Sequence, residues 1–214
     1  MDSLIPTGFL SALTEVSARM AGSEGQGVGV ISLYAQPDAA LYRLPLEHLR
    51  RFERAMERQI RAQLRSHDSL FAVDGKEWLI VLPRVISTAV LTLGMLRFER
   101  TFNDNPLVVD GIDLPVHVVC GAAISPDHGK DGFHLLQSAR IAGLVAGRAD
   151  SGSLLFEPSM ERSAPNIAVL ERDLRTAFSG GPELELWLQP KVHLYSAECR
   201  SAEALLRWRN SMGE

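Results

Sequence analysis

Glu57 to Pro83 reads ERQIRAQLRSHDSLFAVDGKEWLIVLP, and the changes of pattern inside it decide the fold. Leading into it, Leu46, Leu49, Phe52, Met56, Ile60 and Leu64 recur at steps of three and four, which predicts a long amphipathic helix. Arg50, Arg51, Arg54, Arg58, Arg61 and Arg65 lie off that stripe, interleaved with Glu47, Glu53 and Glu57. The basic run therefore reads as a solvated face with i,i+4 pairs, and nucleic acid is not a favoured partner. Ser69–Val73 and Trp78–Leu82 are short apolar runs on either side of Asp74-Gly75. That dipeptide suits a tight hairpin, since Asp and Gly tolerate positive φ.

Outward from this segment, Val28–Tyr34 (VGVISLY) is apolar and β-branched and reads as a buried strand, preceded by a helix over Thr7–Met20. Ser87–Phe102 is a second long helix, with Ser87 as N-cap and Val90, Leu93 and Phe98 among its buried positions. Leu114–Ser125 is predicted as one strand, Asp131–Ala146 as a helix, and Ser153–Phe156 as an edge strand. The order β-α-β-β-α-β-α-β describes an α/β domain of two or three layers. Pro158, Ser163, Ala164 and Pro165 interrupt the pattern; Ile167–Phe178 resumes helical spacing, Gly180-Gly181-Pro182 stops it, and Glu185–Val192 starts a new strand. The expected division is a domain over 1–160, a connector helix within 161–182 and the start of a second domain over 183–214.

Composition excludes several classes. The chain has 214 residues, 46% hydrophobic and 22% charged, with a net charge of -4. That is ordinary globular material with no broad basic field to hold polynucleotide. No apolar run approaches the roughly 18–20 residues that span a bilayer, and no leader pattern opens the sequence, so a cytoplasmic location is expected. Cys120 and Cys199 share no metal-ligand spacing and read as reduced, small hydrophobes. His48, His117, His128, His134 and His193 likewise show no shared spacing for a metal. Met56 and Met95 read as core.

The helix end, Arg65-Ser66-His67-Asp68, the strand, Asp74-Gly75-Lys76-Glu77-Trp78 and the second apolar strand together resemble the GGDEF family of diguanylate cyclases, without a gap. Val116–Pro126 and Leu135–Gly147 are similar to that family's later core strand and last helix. The resemblance implies an α/β (α+β, palm-like) fold, with a central, mostly antiparallel sheet flanked by helices as in nucleotidyl cyclases. From Leu170 onward, with Glu203-Ala204-Leu205 followed by Leu206-Arg207-Trp208, the chain resembles the opening of an EAL domain, the cyclic di-GMP phosphodiesterase family. A (β/α)₈ barrel takes roughly 250 residues, so only its first strands would be present.

Against the family pattern the catalytic parts are lost. Phosphodiester formation from nucleoside triphosphates needs a divalent ion held by carboxylates. Counting back without gaps, the family's first-strand aspartate falls on Leu33, beside Tyr34 and Ala35. The third signature position is Lys76, a cation where the family is acidic, and it repels magnesium. Glu77 is retained alone, and Trp78 replaces the signature aromatic. The family's Ala-Asp of the last helix corresponds to Ala139-Arg140, its Ala-Lys to Ala146-Gly147, and DxLTGLxNR survives only as Asp2–Gly8. No catalytic residue, metal or cofactor is expected, and Asp74, Gly75, Lys76, Glu77 and Trp78 form a degenerate signature.

Arg65 and Asp68 keep the RxxD spacing that in relatives forms an inhibitory cyclic di-GMP site. A guanidinium and a carboxylate suit the phosphate and guanine edges, although the pair also reads as the start of a turn. Gln189, Glu203 and Arg207 are identified by the EAL resemblance as remnants of a phosphodiesterase site. The expectation is a non-catalytic regulatory module that adjoins an EAL domain and receives cyclic di-GMP, a second copy or another protein. Two alternatives stay open: the regulatory part of an active cyclic di-GMP phosphodiesterase, and a nucleotide-independent interaction scaffold.

Overall fold

The periodicities of the sequence become an α/β domain with helices on both faces of one sheet. The structure is a computed structural model and describes residues 7–22, 26–37, 46–149, 152–163, 176–177, 184–193, 196 and 198–209. In chain order the elements are α1 (Thr7–Ala21), β1 (Gly27–Pro37), α2 (Leu46–Arg61), β2 (Ser69–Asp74), β3 (Glu77–Val85), α3 (Thr88–Asp104), β4 (Leu107–Val109), β5 (Ile112–Leu114), β6 (Val116–Ile124), α4 (Gly132–Ala149), β7 (Ser153–Leu155) and the short α5 (Met160–Ser163). The sheet runs β2-β3-β1-β6-β7. Its pairs are antiparallel except β6 with β7. The mostly antiparallel, palm-like sheet expected from sequence is therefore present.

Alternation along the strands splits the core in two. Ile31, Leu33, Trp78 and Ile80 face α2 and α3, packing on Phe52, Met56, Ile60, Leu91, Met95 and Phe98. Val28, Val30, Leu79 and Val81 face α1 and α4, packing on Phe9, Ala12, Val16, Leu135, Leu136 and Ala139. On α3 the buried face is Leu91, Met95, Phe98 and Phe102. Leu93, expected inside, is 67% exposed because it lies two residues, about 200°, round the helix from Leu91.

Two local expectations need correction. Leu114–Ser125 is not one strand. Pro115 supplies no N–H, so Leu114 closes a separate β4–β5 hairpin and β6 begins at Val116. The turn of that hairpin is Asp110-Gly111, both left-handed at φ 53° and 78°, the conformation that Asp-Gly favours. Asp74-Gly75 uses other means, for neither residue has positive φ. Asp74 Oδ1 instead accepts the backbone N–H groups of Lys76 and Glu77 at 2.8 and 2.9 Å. At Gly75 a Cβ would lie 2.5 Å from Glu53 Oε1, the end of a side chain that can swing aside, so glycine gives that carboxylate room without being strictly required.

The i,i+4 pattern of α2 does not account for Arg51, which reaches Asp110 Oδ1 at 2.7 Å, with His48 Nδ1 2.9 Å from Asp110 Oδ2. Among the described residues no helix is long and apolar enough to cross a membrane.

The chain divides into two compact units, Met1–Ala164 and Pro165–Glu214. Of the connector expected over Ile167–Phe178, all but Thr176 and Ala177 lie outside the described residues. In the second unit β8 (Leu184–Val192) and β9 (Cys199–Trp208) form an antiparallel hairpin. No closed barrel is seen among the described residues. Both cysteines are free thiols, Cys120 buried on β6 and Cys199 exposed on β9.

Candidate functional site

The end of β1 meets the start of β3 with Leu33 opposite Trp78 and Tyr34 opposite Glu77. Leu33 and Trp78 point into the α2/α3 core, so the position counted as the family's aspartate is apolar and lies on the sheet face away from Glu77. The indole N–H of Trp78 is buried without an acceptor among the described residues. That costs about 1–3 kcal/mol in a typical core; nothing in the structure explains the choice over phenylalanine.

On the α1/α4 face Glu77 is fully buried. Ser32 Oγ donates to its Oε1 at 3.2 Å and Tyr34 Oη to its Oε2 at 2.9 Å. Arg140 of α4 donates from Nε to Oε1 at 2.6 Å and from an Nη to Oε2 at 2.8 Å, a two-pronged ion pair. The guanidinium is held from its other side by the Phe9 ring, 5.4 Å from the ring centre, and Phe9 meets Phe133 edge-on at 6.3 Å. Burial works against the Arg140 charge, but the bonds and charge of Glu77 outweigh it and raise its pKa.

The cation touching the retained carboxylate is thus Arg140, while Lys76 sits exposed on the turn. Both oxygens of Glu77 are committed, its neighbours are a hydroxyl, a phenol and a guanidinium, and the Leu33 side chain offers no oxygen. A magnesium-triphosphate does not fit this donor set. Ser32, and the pairing of Arg140 with Glu77, were not visible in the sequence reading.

Burial first, and the Glu77 charge after it, push the Tyr34 phenol up to about 12 from its ordinary 10.0. The folded protein therefore keeps this proton longer than the unfolded chain. Its contribution is present in full below pH 10.0 and is lost as pH rises toward about 12. Urea unfolding measured across that window should show a decline in stability that Tyr34→Phe flattens. Equal slopes in the two proteins would remove Tyr34 as the cause.

Arg65 and Asp68 occupy the turn between α2 and β2. Asp68 Oδ2 accepts the Arg65 backbone N–H at 2.8 Å, and Arg65 O accepts from Asp68 N at 3.1 Å. The Asp68 side chain is only 5% exposed, with His67 Nε2 3.8 Å away, whereas Arg65 is exposed. The carboxylate serves the turn, and the guanidinium is what the turn presents. In the second unit Gln189 and Glu203 are cross-strand partners. Lys191 Nζ lies 3.4 Å from Glu203 Oε2, and the Arg207 guanidinium lies over Trp187 at 5.9 Å.

No protein-family model matches the chain. It is 28% identical over 145 residues to the cyclic di-GMP phosphodiesterase PdeR of Escherichia coli strain K12, covering 67% of this chain and 22% of PdeR. The chain spans about a fifth to a quarter of the length of the curated relatives it matches. Among solved structures, the GGDEF domain of YfiN from Pseudomonas aeruginosa superposes with a TM-score of 0.63 at 21% identity, over 72% of this chain and 98% of that one. The GGDEF domain of DgcB from Caulobacter crescentus, in complex with c-di-GMP, gives 0.57 at 14% identity, over 67% and 85%. The fold is thereby that of GGDEF domains, with the nucleotidyl-cyclase-like sheet.

Proposed function

We propose that this chain is a non-catalytic regulatory module of a cyclic di-GMP signalling protein of GGDEF-EAL type. Residues 1–160 are its degenerate GGDEF domain, 161–182 the connector and 183–214 the beginning of an EAL domain, with Gln189, Glu203 and Arg207 as remnants of that domain's site. The observation that carries the reading is the buried Glu77, whose oxygens are satisfied by Arg140, Ser32 and Tyr34 where a cyclase needs a metal. The names of the matched relatives support the signalling context. Arg65, presented by a turn that Asp68 closes, is the group that would meet a cyclic dinucleotide.

Incubation with GTP and magnesium should yield no cyclic di-GMP, and detectable product overturns the reading. For the ligand, calorimetric titration with cyclic di-GMP should give saturable heat that Arg65→Ala weakens by about tenfold or more, the loss of one charge-assisted contact. Absence of heat at high micromolar ligand eliminates nucleotide sensing and leaves the scaffold.

That scaffold reading has its own support in Leu93 and Leu96, exposed one turn apart on α3, with the exposed Ile86 just before the helix begins. If it holds, Leu93→Glu abolishes control of the adjoining domain while Arg65→Ala leaves it intact.

A further inference from the structure

We propose that a cavity between the C-terminal end of α1 and the ends of β1 and β3 binds a phosphate-bearing small molecule through Arg84 and Arg19. The cavity is about 420 Å³, with Val28 and Pro83 as apolar wall and Arg19, Gln26 and Arg84 as polar lining. It is distinct from the Glu77 network, which lies at the other end of β1 and β3.

The strand geometry singles out Arg84. Gly27 pairs with Val85 and Gly29 with Leu82, so Pro83 and Arg84 together oppose the single residue Val28, a β-bulge. Pro83 has no N–H to lose from the ladder, and the bulge re-aims the side chain that follows it. Arg84 takes φ 57°, a left-handed conformation that glycine adopts without penalty and a long side chain does not. An arginine held there at conformational expense, lining a cavity, marks a place where its side chain has a use. Among the described residues no carboxylate pairs with it.

Arg19 is fixed on the other wall. Its Nε donates to Glu15 Oε1 at 2.8 Å, and the same oxygen accepts from Ser69 Oγ at 3.2 Å. That anchoring leaves the outer nitrogens of the fork for a ligand. Among the described residues Glu15 offsets one of the two positive charges, so a net cation remains, suited to a phosphate group approached from two sides. Gln26 adds an amide, and the apolar wall accommodates the organic part of a phosphomonoester.

The test uses the full chain and two probes, inorganic phosphate and guanosine monophosphate, followed by amide chemical shifts around Arg84. Both probes should saturate on the unaltered protein. Tighter binding of the nucleotide assigns an organic phosphate, and equal binding assigns free phosphate. Arg84→Gly should weaken binding by about tenfold or more, as expected for one guanidinium–phosphate contact. Its unfolding midpoint should be unchanged or raised, because glycine suits the φ there, so lost binding will not be lost folding. Arg65→Ala should leave the titration unaltered. The proposal is overturned if neither probe saturates by about 10 mM, the weak end of useful affinities. It is equally overturned if Arg84→Gly binds as the parent does, or if Arg65→Ala abolishes the shifts.

Discussion

Replacing Arg140 by methionine will lower the unfolding free energy by about 2–3 kcal/mol, a little under the roughly 3–5 kcal/mol typical of breaking a fully buried pair. The discount follows from geometry: Glu77 is fully buried but the Arg140 side chain is 38% exposed, so water screens the cation side. What the substitution leaves behind is a carboxylate without its counter-charge, holding only the Ser32 and Tyr34 donors. Glu77→Gln should be destabilising too, by less, because the amide still offers an acceptor to the guanidinium. Changing both residues to methionine should recover much of the loss, since an apolar pair of similar volume needs no compensation. Urea unfolding of the single and double variants measures the coupling directly. Simple additivity would mean that the pair seen at 2.6 and 2.8 Å contributes nothing as a pair.

The same network shows which parts of this protein were legible in its sequence. The hairpin, α2 and the sheet strands were readable because apolar spacing reports which face is buried, and burial decides secondary structure here. The two letters of the key ion pair were also readable, as a retained Glu77 and an arginine where the resembling family has aspartate. Their meeting was not, because 63 residues separate them and only the β1–β3 register and the seat of α4 bring them together. Sequence reasoning placed a cation at the third signature position, Lys76, and did not reveal that Arg140 is the cation touching Glu77. At Asp74-Gly75 the turn was rightly placed but its cause was wrong: the side chain of Asp74 closes it, with no help from positive φ. The dipeptide that does use that conformation, Asp110-Gly111, carried the same signal and was passed over because Pro115 had been absorbed into a continuous strand. Leu93 erred for a simpler reason, since hydrophobicity alone does not say which side of a helix a residue takes.

The seat of α4 leads to the other large expected effect. Gly121→Ala will cost about 3 kcal/mol or more, the range of a core clash that the backbone must absorb. A Cβ at Gly121 would stand 1.9 Å from Gly143 N and 2.3 Å from Ala139 O, both backbone atoms of the helix lying on β6. No rotamer relieves that contact, so α4 must lift from the sheet by roughly 1.5 Å to restore van der Waals distance. Arg140 follows Ala139 directly, and Gly121 is the cross-strand partner of Ser32, whose hydroxyl also holds Glu77. Lifting the helix therefore stretches the ion pair beyond bonding distance as well as opening the core. Two measurements separate these consequences from a general loss of packing. In the Gly121→Ala background the coupling between Glu77 and Arg140 should vanish, because the groups no longer meet. Gly94→Ala, where the added carbon meets only the movable Ile31 Cδ1 at 3.3 Å, should change stability by less than about 1 kcal/mol, helped by the better helix propensity of alanine. If Gly121→Ala proves as mild as Gly94→Ala, or keeps the full coupling, then α4 is not set against β6 at this point and the placement of Arg140 needs another cause.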